Sequence, residues 1–247
     1  MVSFGHGVNI GASPAITSPK AYMPAPISVI IPTLNAAATI GPTLAALAEG
    51  LEAGLIGELI IVDGSSEDGM EDIARQIGAR FATVPPSRGR QLAAGAALAS
   101  RPWLLFIHAD TVLSEGWLDA AQAHLATPKK AGYFRLRFDA FGLPPRLAAG
   151  WANLRSRLFA LPYGDQALLI SSKLYHQAGG YPDQPLMEDV ALTRALKGKL
   201  TSLNADAVTS ATKYKGRWLR RGSHNLSLLL RYFLGASPEA LAKRYRR

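Results

Sequence analysis

The chain has 247 residues, 48% of them hydrophobic, no cysteine and a formal net charge of +9. That length and apolar share suffice for the core of one large domain, or one and a half, and argue against disorder. The missing cysteines exclude a disulfide framework, a thiolate zinc site and a cysteine nucleophile, and they fit a reducing compartment. The charge belongs to the tail: residues 213–247 carry ten basic residues against one acid, Glu239, so the rest of the chain is close to neutral.

Residues 1–26 hold one basic residue, Lys20, and no sustained apolar stretch, which reads as a flexible leader and not as a signal peptide. From Ile27 the chain alternates short β-rich runs with helical patterns. Ile27–Ile31 reads as a buried strand ended by Pro32, with Asn35 as cap of a helix reaching to about Leu51, kinked or started late by Pro42. Strands follow at Glu58–Val62, Arg80–Val84 and Trp103–Ile107, and helices at Gly69–Ile77, Gln91–Ala99 and Glu115–Leu125. Apolar strands separated by helices predict an α/β fold with a parallel sheet covered on both faces. After Ala131 the rhythm changes to a half-exposed strand at Phe134–Phe138, a helix at Pro145–Phe159, a strand at Ala167–Ile170 and a helix at Met187–Leu196, expected to pack on the first sheet. The apolar runs Trp103–Ile107 and Leu226–Leu230 are too short to cross a bilayer.

Ligands of open α/β sheets sit outside the carboxyl ends of the strands. That rule selects Pro32 to Asn35, Asp63 to Ser66, Pro85 to Arg90 and His108 to Asp110. Asp63 can accept hydrogen bonds from a ribose or base, or form an Asx turn before the next helix. His108 and Asp110 project to one side of an extended chain, and Asp110 offers hard oxygens for magnesium or manganese; a helix cap is the alternative. Arg88 and Arg90, in the loop before a helix, suit a diphosphate or are surface arginines. Glu188 and Asp189, with Asp183 just before them, open a helix as favourable charges against its dipole or as carboxylates held over a cleft.

Taken together, Ser28–Asn35, Ile61–Gly69, Phe106–Thr111, Gly179–Tyr181 and Met187–Asp189 resemble the family 2 glycosyltransferases, which have the GT-A fold, over nearly all of residues 27–210. Ser87–Leu92, the His108-Ala109-Asp110-Thr111 run and Tyr163–Gln166 are similar to a small bacterial subgroup of that family. The resemblance implies an inverting transfer from a nucleoside-diphosphate sugar, with a UDP-sugar the expected donor, to an unidentified acceptor hydroxyl. It implies nucleoside contacts from Thr33, Asn35 and Asp63 and diphosphate contacts from Arg88 or Arg90. It also implies a divalent cation, Mg or Mn, held by Asp110, with His108 as a second ligand or as a group that orients its neighbours, and Asp189 as the base. Gly164, Asp165 and Glu188 would line the sugar and acceptor side. His108 stands where many members have an aspartate, which leaves Asp110 as the acid that anchors the cation. The late aromatic-basic motif of many members has two candidates, Lys213-Tyr214 and Arg217-Trp218.

The resemblance divides the chain into a leader, a GT-A domain at 27–212 with a nucleotide-sugar half to about 130 and an acceptor half after it, and a basic helical segment at 213–247. Helices at Trp218–Phe233 and Ser237–Tyr245 are expected in that segment. A basic amphipathic tail suits an anionic membrane surface, here the inner face of the cell membrane in a cytoplasmic protein; packing of its leucines on the domain is the alternative. A nucleic-acid-binding module would use the charge but none of the ordered acids, so no nucleic-acid partner is expected. A non-catalytic nucleotide-sugar-binding protein is the nearer rival.

Overall fold

The computed structural model describes residues 25–245 except 213 and 215, so the expected leader lies outside the described residues but for its last two. Among the described residues one eight-stranded sheet runs in the order β3-β2-β1-β4-β7-β6-β8-β5. Its first four members are β1 (Ile27–Thr33), β2 (Ile56–Asp63), β3 (Arg80–Thr83) and β4 (Trp103–Phe106), all parallel to one another. Alternate residues feed two cores. Val29, Ile31, Ile61 and Leu105 face Leu47 of α1 (Gly41–Glu52), Met70 of α2 (Met70–Gln76) and Trp117 of α4 (Trp117–Leu125). Ile30, Ile60, Val62 and Leu104 face Leu92 and Ala96 of α3 (Arg88–Leu98). Burial on both faces explains why β1, β2 and β4 read as apolar runs; β3, at the sheet edge, is only partly buried.

Pro32 does not end β1. Pairing with β4 stops at Ile30, and Thr33 accepts a hydrogen bond from the β2 side, at Gly64 N–H. The alternation of the backbone therefore turns Pro32 toward the side where no ladder remains, and its missing N–H costs nothing. Asn35 caps no helix: it takes φ 50°, and α1 starts only at Gly41 with Pro42 in its first turn. α3 starts earlier than expected because Pro85-Pro86 lead into an extended Ser87, so Arg88 and Arg90 ride on its first turn and not in a loop.

The second half extends the sheet instead of packing on it. β7 (Leu168–Ser171) covers the free edge of β4 in antiparallel register, Phe106 opposite Leu168, and β6 (Ala131–Phe138) follows antiparallel to β7. Two strands were not anticipated. β8 (Leu200–Thr209) lies parallel to β6, and β5 (Thr111–Leu113) lies antiparallel to β8. Helix α5 (Leu143–Phe159) lies against β6. A short α6 (Ser172–Gln177), also unanticipated, is capped by Ser171 Oγ accepting from Leu174 N–H. α7 (Glu188–Ala195) then buries Leu192 in the second core.

The basic segment folds as α8 (Trp218–Phe233) and α9 (Pro238–Tyr245). Trp218 stacks on Tyr214 and meets Phe138 edge-on, while Leu229 packs with Leu161 and Val190. Among the described residues no helix is long and apolar enough to cross a membrane.

Candidate active site

The carboxyl ends of β1 and β2 are tied into a closed network. Asp63 Oδ1 accepts from Thr33 Oγ1 at 2.7 Å and Ser66 Oγ at 2.6 Å, while Oδ2 accepts from Ser66 N–H at 2.6 Å. Asn35 N–H donates to Ser66 Oγ at 2.7 Å, and Asn35 Oδ1 accepts from Glu67 N–H. Gln91 of α3 donates to the carbonyls of Thr33 and Val62 at 2.7 and 2.9 Å, stapling the helix to both strand ends. Thr33 and Asp63 are each only 2% exposed, so Asn35 and its neighbours form the outer surface of this corner.

A second region gathers around the end of β4. Thr111 opens β5, not a helix, and α4 begins six residues later at Trp117, so Asp110 is no helix cap. Asp110 lines a cleft whose wall also includes Arg88, Gly164, Asp165, Glu188 and Asp189. His108 Nδ1 lies 2.8 Å from Asp165 Oδ1. Gly164 N–H donates to Asp189 Oδ2 at 2.9 Å, and Val190 N–H reaches Asp189 Oδ1 at 2.8 Å. A Cβ on Gly164 would stand 3.0 Å from His108 Nε2 and 3.8 Å from Asp189 Oδ2, so glycine is what lets the imidazole and the carboxylate share this turn.

Met187, in the left-handed region at φ 66°, swings the chain so that α7 opens on the two acids. Glu188 is 2% exposed, with Arg88 Nε 3.7 Å away. Burial pushes its carboxyl up to about 7, against the pull of Arg88 and with the help of Asp189. Gly89 makes that approach of α3 possible: a Cβ there would fall 2.1 Å from the Pro182 carbonyl, which explains glycine between the two arginines. Arg90 points elsewhere, to Asp183 at 2.8 Å on the surface. Thus Asp110, Arg88, Gly164, Asp165, Glu188 and Asp189 converge, His108 joins them through Asp165, and Thr33, Asn35 and Asp63 form their own corner.

Sequence reading missed Arg155, Arg221, Asn225 and Tyr245, all on the cleft wall, and it met Tyr163 and Tyr214 only as parts of motifs. Arg155 is 3% exposed, stacked 3.4 Å over the Tyr163 ring, and donates to the Leu161 carbonyl. Gln166, fully buried, bonds Ser156 Oγ, Tyr163 N–H and the Phe134 carbonyl, fixing the turn that carries Gly164 and Asp165. Nothing in a helix with three arginines distinguishes Arg155 until the turn it supports is placed beside it.

Among the described residues no three His, Asp or Glu side chains converge on one metal position. A magnesium or manganese ion needs fewer, because it keeps waters and takes one or two carboxylates together with substrate phosphate oxygens. Asp110, open to the cleft, fits that role.

The Glycosyl transferase family 2 model matches residues 28–172. A search of curated proteins finds no match. Among solved structures, S. aureus TarS in complex with UDP superposes with TM-score 0.57 at 17% identity, covering 75% of this chain and 61% of that one. M. tuberculosis glucosyl-3-phosphoglycerate synthase, in complex with Mn2+ and UDP-glucose, superposes with TM-score 0.55 at 22% identity, covering 75% of this chain and 70% of that one. The alignments span only 35–64% of the length of the TarS chains. At these identities the likeness shows the fold: a mixed α/β GT-A domain with a mostly parallel sheet and added C-terminal helices.

Proposed function

The chain belongs to glycosyl transferase family 2, and from that premise we propose that it transfers a sugar from a UDP-sugar to an acceptor hydroxyl, with inversion and with a magnesium or manganese ion. The observation that carries this reading is the convergence of Asp110, Arg88, Glu188 and Asp189 on one cleft at the carboxyl end of β4. The UDP and Mn2+ of the TarS and glucosyl-3-phosphoglycerate synthase complexes supply the choice of donor and cation.

In this reading Asp110 holds the cation, which when bound neutralises charge on the departing diphosphate. Arg88, on the first turn of α3, adds a guanidinium and the helix N-terminus to the same task. Thr33, Asn35 and Asp63 frame the nucleoside corner. The acceptor hydroxyl attacks the anomeric carbon opposite the diphosphate and gives its proton to Asp189, whose oxygens are aimed by Gly164 and Val190 N–H. Glu188, whose proton affinity burial raises, disfavours a second full negative charge beside that base. His108 orients Asp165 on the sugar and acceptor side. The domain division at 27–212 and a cytoplasmic site of action, with the basic tail against the inner face of the membrane, belong to the same proposal.

Release of UDP from UDP-glucose and UDP-GlcNAc, with and without manganese, tests it. The expected outcome is manganese-dependent release that Asp189→Asn suppresses. Tight UDP binding without release from any donor, in the presence of a range of acceptors, would make the chain a nucleotide-sugar-binding protein instead.

A further inference from the structure

A helix lying on a globular domain normally turns its apolar side inward. Helix α5 does the reverse. It lays small residues, Ala149, Ala152 and Ser156, on the body, and it turns Leu143, Leu147, Trp151, Leu154 and Leu158 outward, each between 47% and 67% exposed. Their spacing of four, four, three and four residues makes one stripe along a 17-residue helix. Phe141, fully exposed, continues it past the N-terminus of the helix. Arg146 and Arg157 stand exposed along one flank.

Helix α8, which packs against α5, adds to the exposed apolar surface. Leu228 and Leu229 go inward while Leu226, Leu230 and Phe233 remain exposed, with Arg220 and Arg231 open to solvent on its polar side. Neither helix contains a single Asp or Glu.

We propose that the outward face of α5, joined by that of α8, docks the protein on an anionic lipid bilayer. An interfacial helix needs an apolar face with large side chains, a cationic border and no acids to repel the headgroups, and α5 has all three. Trp151, at the middle of the stripe, has the amphipathic ring that favours the headgroup level. The charge decides between occupants. A second copy of the chain would bring Arg146 and Arg157 against like charges across a self-complementary interface. Residues 1–24 contain no acid to meet those arginines. A bilayer bearing phosphatidylglycerol supplies the missing negative charge over the whole face. Because α8 also lends Asn225, Leu228 and Leu229 to the cleft, docking holds the wall of the catalytic cleft at the lipid surface.

Flotation of the full chain with vesicles tests this without reference to activity, so its outcome is independent of the proposed reaction. The full chain should float with vesicles of phosphatidylglycerol and phosphatidylcholine, stay behind with phosphatidylcholine alone, and be released by high salt. Leu147→Glu combined with Leu154→Glu should lower partitioning about tenfold or more. Arg146→Glu combined with Arg157→Glu, which leaves the exposed leucines and Trp151 in place, should lower it roughly thirtyfold or more. All four positions are exposed, so the melting temperature of each variant should match the parent's. The proposal is overturned if the parent fails to float with anionic vesicles, or if both variants float as it does. It is equally overturned if sedimentation shows a parent dimer that the leucine variant dissolves, which would assign the face to a second copy.

Discussion

The corner at the ends of β1 and β2 and the cleft at the end of β4 are built from similar residues to opposite effect. In the corner, Asp63 is surrounded by donors: both its oxygens are engaged, and Thr33, Ser66, Asn35 and Gln91 close the network. In the cleft, Glu188 is buried with a guanidinium 3.7 Å away and a second carboxylate next to it, and its proton affinity rises. The corner lowers the energy of the fold. The cleft spends some of that stability to hold charged groups where water is scarce, as expected of a catalytic site.

The largest expected effect lies in the cleft. Asp189→Asn removes the basicity, so turnover should fall roughly a hundredfold or more; its amide can accept only one of the Gly164 and Val190 N–H bonds, so the melting temperature should drop by only about 2–4 °C. A variant with near-normal turnover would remove Asp189 from the chemistry. The corner should show the opposite pattern. Asp63→Ala leaves the Thr33 hydroxyl and the Ser66 N–H without their acceptor, costing about 2–3 kcal/mol, or roughly 5–10 °C in Tm. An unshifted melting curve would mean that the network does not stabilise the fold.

A smaller effect separates the two regions by pH. Glu188 has a folded value of about 7 against 4.5 for an unperturbed carboxyl, so between those values the folded state binds more protons than the unfolded one. Stability from this group is therefore full below about 4.5 and lost as pH rises toward 7. Glu188→Gln should match the parent near pH 4.5 and exceed it near pH 8 by on the order of 1–2 kcal/mol, read from thermal unfolding at both pH values. A constant difference across that range would contradict the buried, raised carboxyl. The smallest effect is at Arg90. Its partner Asp183 is exposed, so Arg90→Ala should leave Tm unchanged and weaken UDP binding less than Arg88→Ala does. The reverse ranking would move the diphosphate out of the cleft.

The same contrast governs how much could be read before the structure. Asp63-Gly64-Ser65-Ser66 and His108-Ala109-Asp110 follow unbroken apolar strands, so local pattern and the rule for strand ends located them. β8 was invisible because its run, Leu200 to Thr209, is interrupted by Asn204 and Asp206, poor strand formers held there by pairing with β6. Missing β8 also hid β5, which pairs with it, and left Asp110 looking like a helix cap. The cleft wall draws on Arg88, Gly164, Asp165 and Glu188, residues from distant parts of the sequence, and only their order in a family resemblance suggested a shared site; Arg221 was not in it. Arg155 carried no such signal. Its role depends on Tyr163, which the fold places under its guanidinium.

Manganese-dependent UDP binding by Asp110→Ala and Asp189→Asn, measured side by side with the parent by titration calorimetry, tests the central claim of one cleft with divided roles. Asp189→Asn should retain the parent's affinity within about twofold, because the base is not used in donor binding. Asp110→Ala should lose the part of the affinity that manganese confers and keep the metal-free remainder. Equal affinity of Asp110→Ala and the parent in the presence of manganese would contradict the account.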